Sequence, residues 1–315
     1  MTDTLAELYA ILFDPGLVTA PAYLALAGLA AFWVWRREAA GRDRAERGDR
    51  GVGFWRWLVP GRIWRHPSHL IDLQLFVLGR LMAILGLFAG LAVTTFVAAG
   101  VAGLIPAPLI PAESLGPVAL AVVLWLPSDF SIYWVHRIYH RWARIWPLHA
   151  VHHSAEVMTP FTTYRQHPVA NLLTSIAQAV FVGLCQGLLI GTLAEGTAVA
   201  EIAGLNLCIV LANAALAALH HSHVWLSYGP VLEHLVISPA QHQIHHSVDP
   251  AHHDRNFGNS LALWDWMFGT LYVIRGREHL TLGLAGEAER ALMTQRLGPM
   301  LWDPLRRVLQ RGPKG

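Results

Sequence analysis

The sequence predicts an all-α integral membrane protein with about four or five transmembrane helices and a histidine-rich, helical metal-binding cap facing the cytoplasm. Three observations predict it. The 315 residues are 54% hydrophobic and only 14% charged, more apolar than an ordinary soluble domain. Apolar stretches recur at Ala20 to Trp35, Leu70 to Ala102, Val118 to Val135, Val169 to Leu193 and Ala198 to Leu219, each near the roughly 20 residues a helix needs to cross hydrocarbon. Histidines cluster in three short motifs, HRIYH, HAVHH and HQIHH, at spacings that place imidazoles on one helix face.

Residues 1–16 carry Asp3, Glu7 and Asp14 and lack the basic leader of a secretion signal, so the first apolar stretch reads as a retained anchor. Six arginines against four acidic residues follow in RREAAGRDRAERGDR, which places that end on the cytoplasmic side. Successive crossings then bring all three histidine motifs to the same face of a multi-pass protein in the inner or plasma membrane. Pro106, Pro108, Pro111 and Pro117 punctuate a noncytoplasmic connection. Leu70 to Ala102 reads as one tilted helix or as a span plus an interfacial turn, and Gly183 to Leu193 is glycine-bearing enough to re-enter. Cys185 and Cys208 fall inside apolar stretches, which argues against a disulfide-stapled module. The mixed charge of residues 36–50 reads as interface anchoring, with no nucleic-acid partner. Three regions result: an anchor and charged linker (1–69), a catalytic membrane region (70–285) and a short cytoplasmic tail (286–315).

His136 and His140, then His149, His152 and His153, then His242, His245 and His246 offer more imidazoles than one metal ion takes, so two metals sharing a helical cage is the smaller assumption. Imidazole alone does not choose among iron, zinc, copper and nickel. His221, in LHHSHVW, is the favoured addition. His167 in YRQHP could ligate or shape the next helix start, and His252 and His253 read as a lid or surface pair. Asp129 lies two helical turns before His136, where a carboxylate could accept a ligand's second N–H; Asp265 in LWDWMFGT is a similar candidate. Trp125, Phe130, Tyr133, Trp134 and Phe161 could line an apolar pocket, with helix packing as the plainer role. Ligands at the ends of apolar segments suit oxidation of a membrane lipid better than ion transport. A histidine-rich metal transporter and a noncatalytic lipid-binding scaffold are the alternatives.

From DFSIYWVHRIYHR through WPLHAVHHS, YRQHP, LHHSHVW and SPAQHQIHHS to DRNFGNSLALWDWMFGTLY, the chain resembles the fatty acid hydroxylase superfamily, which includes sterol desaturases and alkylglycerol monooxygenase. The likeness runs from Asp129 to Tyr272, nearly half the chain. It implies a helical membrane enzyme with two iron ions and dioxygen as co-substrate, hydroxylating or desaturating a lipid C–H bond. The resemblance implies metal ligation by His136, His140, His149, His152, His153, His221, His242, His245 and His246, with Asn256, Trp264 and Asp265 as supports beside the site. No haem-binding HPGG motif is evident, so electrons are expected from a separate electron-transfer protein or a reduced small cofactor.

Overall fold

The computed structural model describes residues 17–41, 53–85, 90–106, 109, 117–193, 208, 217 and 219–310. Helix α1 (Pro21–Gly41) is followed by two short turns of helix, α2 (Phe54–Leu58) and α3 (Gly61–Trp64), and then by α4 (Pro67–Ile84) and α5 (Gly90–Ala102). The long α6 (Pro117–Arg141) leads into the short α7 (Trp146–His153), a 3-10 turn (Pro160–Tyr164) and α8 (Pro168–Leu193). After the segment beginning at Leu219 come α9 (Pro239–His245), α10 (Leu263–Met267) and α11 (Leu297–Gln310). Among the described residues the only β pairing is two isolated bridges, Val236 with Leu261 and Ser247 with Leu282, so the all-α expectation holds.

The expected four or five crossings do not. Among the described residues α8 alone is long and apolar enough to span a bilayer. Charge and length explain the difference. Helix α4 carries Asp72 and Arg80, and α6 carries Pro127, Asp129, His136, Arg137 and His140. Helix α5, split from α4 within the apolar stretch 70–102, has 13 residues, too few for a span. The multi-pass topology therefore falls, and with it the cytoplasmic orientation deduced from counting crossings. The stretch Ala198 to Leu219 lies almost wholly outside the described residues, as does the segment 1–16.

Nor is the glycine-bearing end of α8 re-entrant. The helix is continuous to Leu193, and Gly183, Gly187 and Gly191, four residues apart, form a stripe against α5. A Cβ on Gly187 would stand 2.5 Å from the Val101 Cβ and 2.7 Å from the Ala98 carbonyl oxygen; one on Gly183 would stand 2.7 Å from the Val97 Cβ. Small residues at this spacing let two helix backbones approach closely. The Gln186 amide, on the neighbouring face, donates to the Leu124 carbonyl and ties α8 to α6.

A second core forms around α7. Ile71 and Leu75 of α4, Ala150 and Val151 of α7, Leu292 and Met300 of the C-terminal region pack together. Leu305 and Val308 of α11 cover Tyr139, Leu148 and Ala170. Helix α7 is thus clamped between α4 and α11 on one side, while its histidines face the other way.

The glycine stripe yields a first prediction. Gly187→Leu should destabilise the protein by about 1–3 kcal/mol, the usual cost of overpacking, because the atoms it meets are a branched side chain and a backbone carbonyl. Thermal unfolding in detergent would read this, with Gly100→Leu, where nothing lies within 4 Å of the added carbon, as the neutral comparison.

Candidate metal centre

Four local structures carry the histidines. Helix α6 ends on His136 and His140, one turn apart, where the basic end residues complement the helix dipole. Pro147 opens α7, and the i, i+3, i+4 spacing of His149, His152 and His153 puts all three on one face. Helix α9 starts with a complete capping box: the Gln241 N–H donates to the Ser238 Oγ at 3.2 Å, and the Ser238 N–H donates to the Gln241 Oε1 at 2.9 Å. That cap, with Pro239 in the first turn, fixes the start of SPAQHQIHH and so the phase of His242, His245 and His246. His221 comes from the turn after Leu219.

These segments bring all nine histidines into two adjoining groups. His136, His140, His149, His153 and His245 form one; His152, His221, His242 and His246 form the other, with the facing ring nitrogens of each group within 4.8 Å of one another. The groups touch where the rings of His153 and His246 stack at 4.5 Å. Nε2 atoms approach closely: His140 to His153 at 3.0 Å, His153 to His149 at 3.2 Å, His221 to His152 at 3.1 Å and His242 to His221 at 3.0 Å.

The outward nitrogens explain what faces inward. His136 Nδ1–H donates to the Phe257 carbonyl at 2.9 Å and His245 Nδ1–H to the Arg255 carbonyl at 2.7 Å. A carbonyl only accepts, so each Nδ1 carries the proton and each Nε2 presents a lone pair. Those two Nε2 atoms are buried without a hydrogen-bond partner, as are Nδ1 and Nε2 of His246. Burial also pushes every imidazole towards the neutral form: His136 down to about 4 and His152 down to about 3. His153 and His246 are lowered well below the ordinary range by burial and then by their charged-state repulsion with neighbouring imidazoles. At 3.0–3.2 Å each Nε2–Nε2 contact holds either one N–H proton, on the ring set by the tautomer, or a cation between two lone pairs. For a metal–nitrogen bond of about 2.1 Å, ligands at right angles stand about 3 Å apart, the spacing found here. The donor set fits imidazole-binding transition metals such as iron, and with two groups it fits a dinuclear site.

The supports differ from expectation. Asp129 does not hold a histidine. It accepts from the Ser260 N–H at 3.0 Å, the Leu261 N–H at 3.2 Å and the Trp264 indole N–H at 2.8 Å, pinning the start of α10 to α6. Asp265 accepts from the Phe257 and Gly258 N–H groups, both at 2.8 Å, and from the Thr270 hydroxyl at 2.6 Å. Burial raises its pKa to about 6. Asn256 sits at φ +54, a conformation asparagine tolerates; its Nδ2 donates to the Gln241 carbonyl and its Oδ1 accepts from the Tyr272 N–H. Gly258 has no room for a side chain, since a Cβ would lie 2.5 Å from the Leu261 carbonyl oxygen. Asn256 and Asp265 therefore aim the Arg255 and Phe257 carbonyls at His245 and His136. Asp254, which sequence reasoning passed over, places a carboxylate oxygen 3.8 Å from His140 Nδ1.

Other histidines have separate duties. His167 accepts from the Val169 N–H and donates to the Leu301 carbonyl, so it shapes the start of α8. His252 is not a surface residue: it is buried and pairs with Glu278 at 3.0 Å. His220 stacks on His242 with ring centres 5.0 Å apart. Phe130, Tyr133 and Trp134 pack with Phe268, and Phe161 packs on Phe76; Trp125 and Phe161, like these three, are absent from the lining of the cavity beside the histidines.

Two separate cavities adjoin the histidines, one of about 420 Å³ and this one of about 650 Å³. The larger reaches His136 and His149 of the first group and His152, His221 and His242 of the second. The smaller reaches His140, His153 and His245 and is walled by Arg141, Asp254 and Glu289.

Two outcomes follow. Asp265→Asn presents one carbonyl oxygen where two N–H groups and a hydroxyl need acceptors, so metal affinity should fall by about 10–100-fold, read by metal titration with helicity as the folding control. In the metal-free chain the buried histidines stay neutral while unfolded ones take protons below 6.5. Stability should therefore be full above that value and be lost progressively as pH falls towards 4. Denaturant midpoints across that range would show it, and a flat profile would contradict it.

Residues 121–270 match the fatty acid hydroxylase family. The ornithine lipid hydroxylase OlsE of Rhizobium tropici is 26% identical over 199 residues, 63% of this chain and 56% of its own length. The alkylglycerol monooxygenase of Danio rerio is 29% identical over 157 residues, 46% of this chain and 29% of its own. A very-long-chain aldehyde decarbonylase, GL1-1 of Oryza sativa subsp. indica, is 32% identical over 170 residues, 52% of this chain and 25% of its own. The matches thus span little more than half of the first relative and under a third of the other two. No solved structure matches the chain. The matched segment contains all nine clustered histidines, so the chain carries a fatty acid hydroxylase superfamily domain over residues 121–270.

Proposed function

We propose that the protein is a membrane-bound, oxygen-dependent non-haem di-iron oxidoreductase that hydroxylates or desaturates a C–H bond of a lipid. The observation that carries this reading is the convergence of nine imidazoles, seven of them buried, on two adjoining points, with five of the nine lining a cavity of about 650 Å³. Two relatives support the substrate class by their names, one a lipid hydroxylase and one an alkylglycerol monooxygenase.

His136, His140, His149, His153 and His245 would hold one iron ion, and His152, His221, His242 and His246 the other. When bound, the irons would supply the reductive activation of dioxygen needed to attack an unactivated C–H bond. The chain's own residues do the rest. Burial keeps the imidazoles neutral and available. The Phe257 and Arg255 carbonyls fix the tautomers of His136 and His245. Leu75, Phe76 and Met82 of α4, with Ile132 and Val135 of α6, give the large cavity an apolar wall that excludes water from the reacting carbon. The smaller cavity, with Arg141, Asp254 and Glu289, offers a polar approach for dioxygen and for an external electron donor.

The first test is metal stoichiometry and Mössbauer spectroscopy on anaerobically prepared protein loaded with the Mössbauer-active iron isotope. Two coupled irons per chain are expected; stoichiometric zinc, or no metal in folded protein, would overturn the reading. His152→Ala should lose metal and lipid oxidation, whereas His252→Ala, which breaks the pair with Glu278 and the edge contact with Tyr272, should keep the iron. Equal loss from both would show that the site extends beyond the nine histidines.

A further inference from the structure

Helix α8 has two faces. Leu173, Ile176, Val180, Leu184 and Leu188 are exposed, at 43–56% of their surface, and form an outward apolar face on a helix long enough to cross a bilayer. Asn171, Thr174, Ser175 and Gln178, at i, i+3, i+4 and i+7, are half-buried and line the large cavity. This is a single polar stripe turned inwards from an apolar helix. Thr174 donates to the Tyr139 hydroxyl at 3.3 Å. No described residue hydrogen-bonds the side chains of Asn171, Ser175 or Gln178.

Polar side chains on an apolar membrane helix are costly without partners and mark the path of a polar ligand or of water. The lining from α4 and α6 is mostly apolar, from Leu75, Phe76 and Met82 to Ile132 and Val135, interrupted by Arg80 and Ser128. The cavity therefore fits an amphiphile lying between the two walls. Charge narrows the choice. Arg80 lines the cavity, and no Asp or Glu is among its described lining residues. A cationic amine would find no counter-charge there, whereas amide and hydroxyl side chains pair well with a carbonyl group.

We propose that the stripe Asn171–Thr174–Ser175–Gln178 is a binding site for the acyl linkage of the lipid substrate, an ester or amide carbonyl. Its hydrocarbon chain lies along α4 and α6 towards the histidines. This deepens the preceding reading and rests on it for the cavity being a substrate site. The stripe then sets specificity: it selects lipids by a carbonyl-bearing linkage and rejects a bare hydrocarbon.

Equilibrium binding without turnover tests the idea. A fluorescent long-chain amide bound to the metal-loaded full chain in detergent would be displaced by three competitors of matched length: an N-methyl amide, an alkane and a primary amine. The wild type should prefer the amide over the alkane by about tenfold or more. Asn171→Leu combined with Gln178→Leu should bring that ratio close to one, with alkane binding retained. Gln178→Glu should weaken the amide and strengthen the amine, a sign change that general damage to the fold would not produce. Leu173→Gln, on the outward face, should leave the ratio unchanged. A wild-type ratio near one would overturn the proposal. So would an unchanged ratio in the double variant, which would mean that the stripe only hydrates the cavity. Loss of the oxidase reading would appear instead as absent iron with the ratio intact, so the two failures are separable.

Discussion

Imidazole nitrogens held 3.0–3.2 Å apart, Nε2 to Nε2, are the constraint on which the rest of the structure depends. Such spacing accepts a shared proton or a cation, and a cation gains several bonds at once, so the protein must bring four chain segments to the same place. Each segment is fixed by something other than its histidines. Helix α6 is pinned through Asp129, α7 by the core around Met300, α9 by the Ser238–Gln241 capping box, and His221 by the Thr163 hydroxyl, 2.9 Å from its Nδ1. The histidines are then delivered, and an ion need not assemble them. That is pre-organisation in its usual sense.

Arg165 is the tie behind that delivery. Fully buried, it donates to Asp72 of α4 at 2.8 Å, to the Val151 carbonyl of α7 at 2.9 Å, to the Ser154 hydroxyl at 2.8 Å and to Gln295 at 2.7 Å. The Thr162 hydroxyl donates to the second Asp72 oxygen. A planar guanidinium with five donors can join four segments; a lysine could not match that fork. Removing one partner of such a buried pair leaves an uncompensated charge, typically at a cost of about 3–5 kcal/mol. The arginine lies directly behind the α7 face that carries His152 and His153, so its bonds set how far that helix stands from α6 and α9.

What could be read in advance was what depends on spacing within one segment. HRIYH, HAVHH and HQIHH declare a shared face through helical periodicity alone, and SPAQ declares a helix start through its cap. Contacts between distant segments were not legible. Asp129 looked like a partner for a histidine because it lies two turns from His136, yet its carboxylate meets backbone N–H groups 131 and 132 residues away. The carbonyls of Arg255 and Phe257 have no side-chain signature, although the succession of Asp254 and Asn256 at positive φ with Gly258 was a trace of an unusual backbone. Arg165 in YRQHP was masked by the histidine two residues on. The helix count failed for another reason: hydropathy summed over a stretch ignores a single buried Asp or Arg that a tertiary partner neutralises, as Arg165 does for Asp72.

Helix α8 shows how several demands can share one segment without conflict. Its glycines at 183, 187 and 191 admit α5 to close range, its leucines face outwards, and its polar residues at 171, 174, 175 and 178 face the cavity. The glycine stripe occupies the half of the helix far from the histidines and the polar stripe the half near them. Rigidity from close helix packing is thus placed away from the site, while the cavity wall near the site is left to side chains that can hydrogen-bond an occupant. Since backbones in close contact cannot shift without losing that contact, the glycine half anchors the polar half in register with Tyr139 and the histidines of α6 and α7. Exchange of side chains along the polar stripe can then retune what the cavity accepts without disturbing the packing that holds the nitrogens in place.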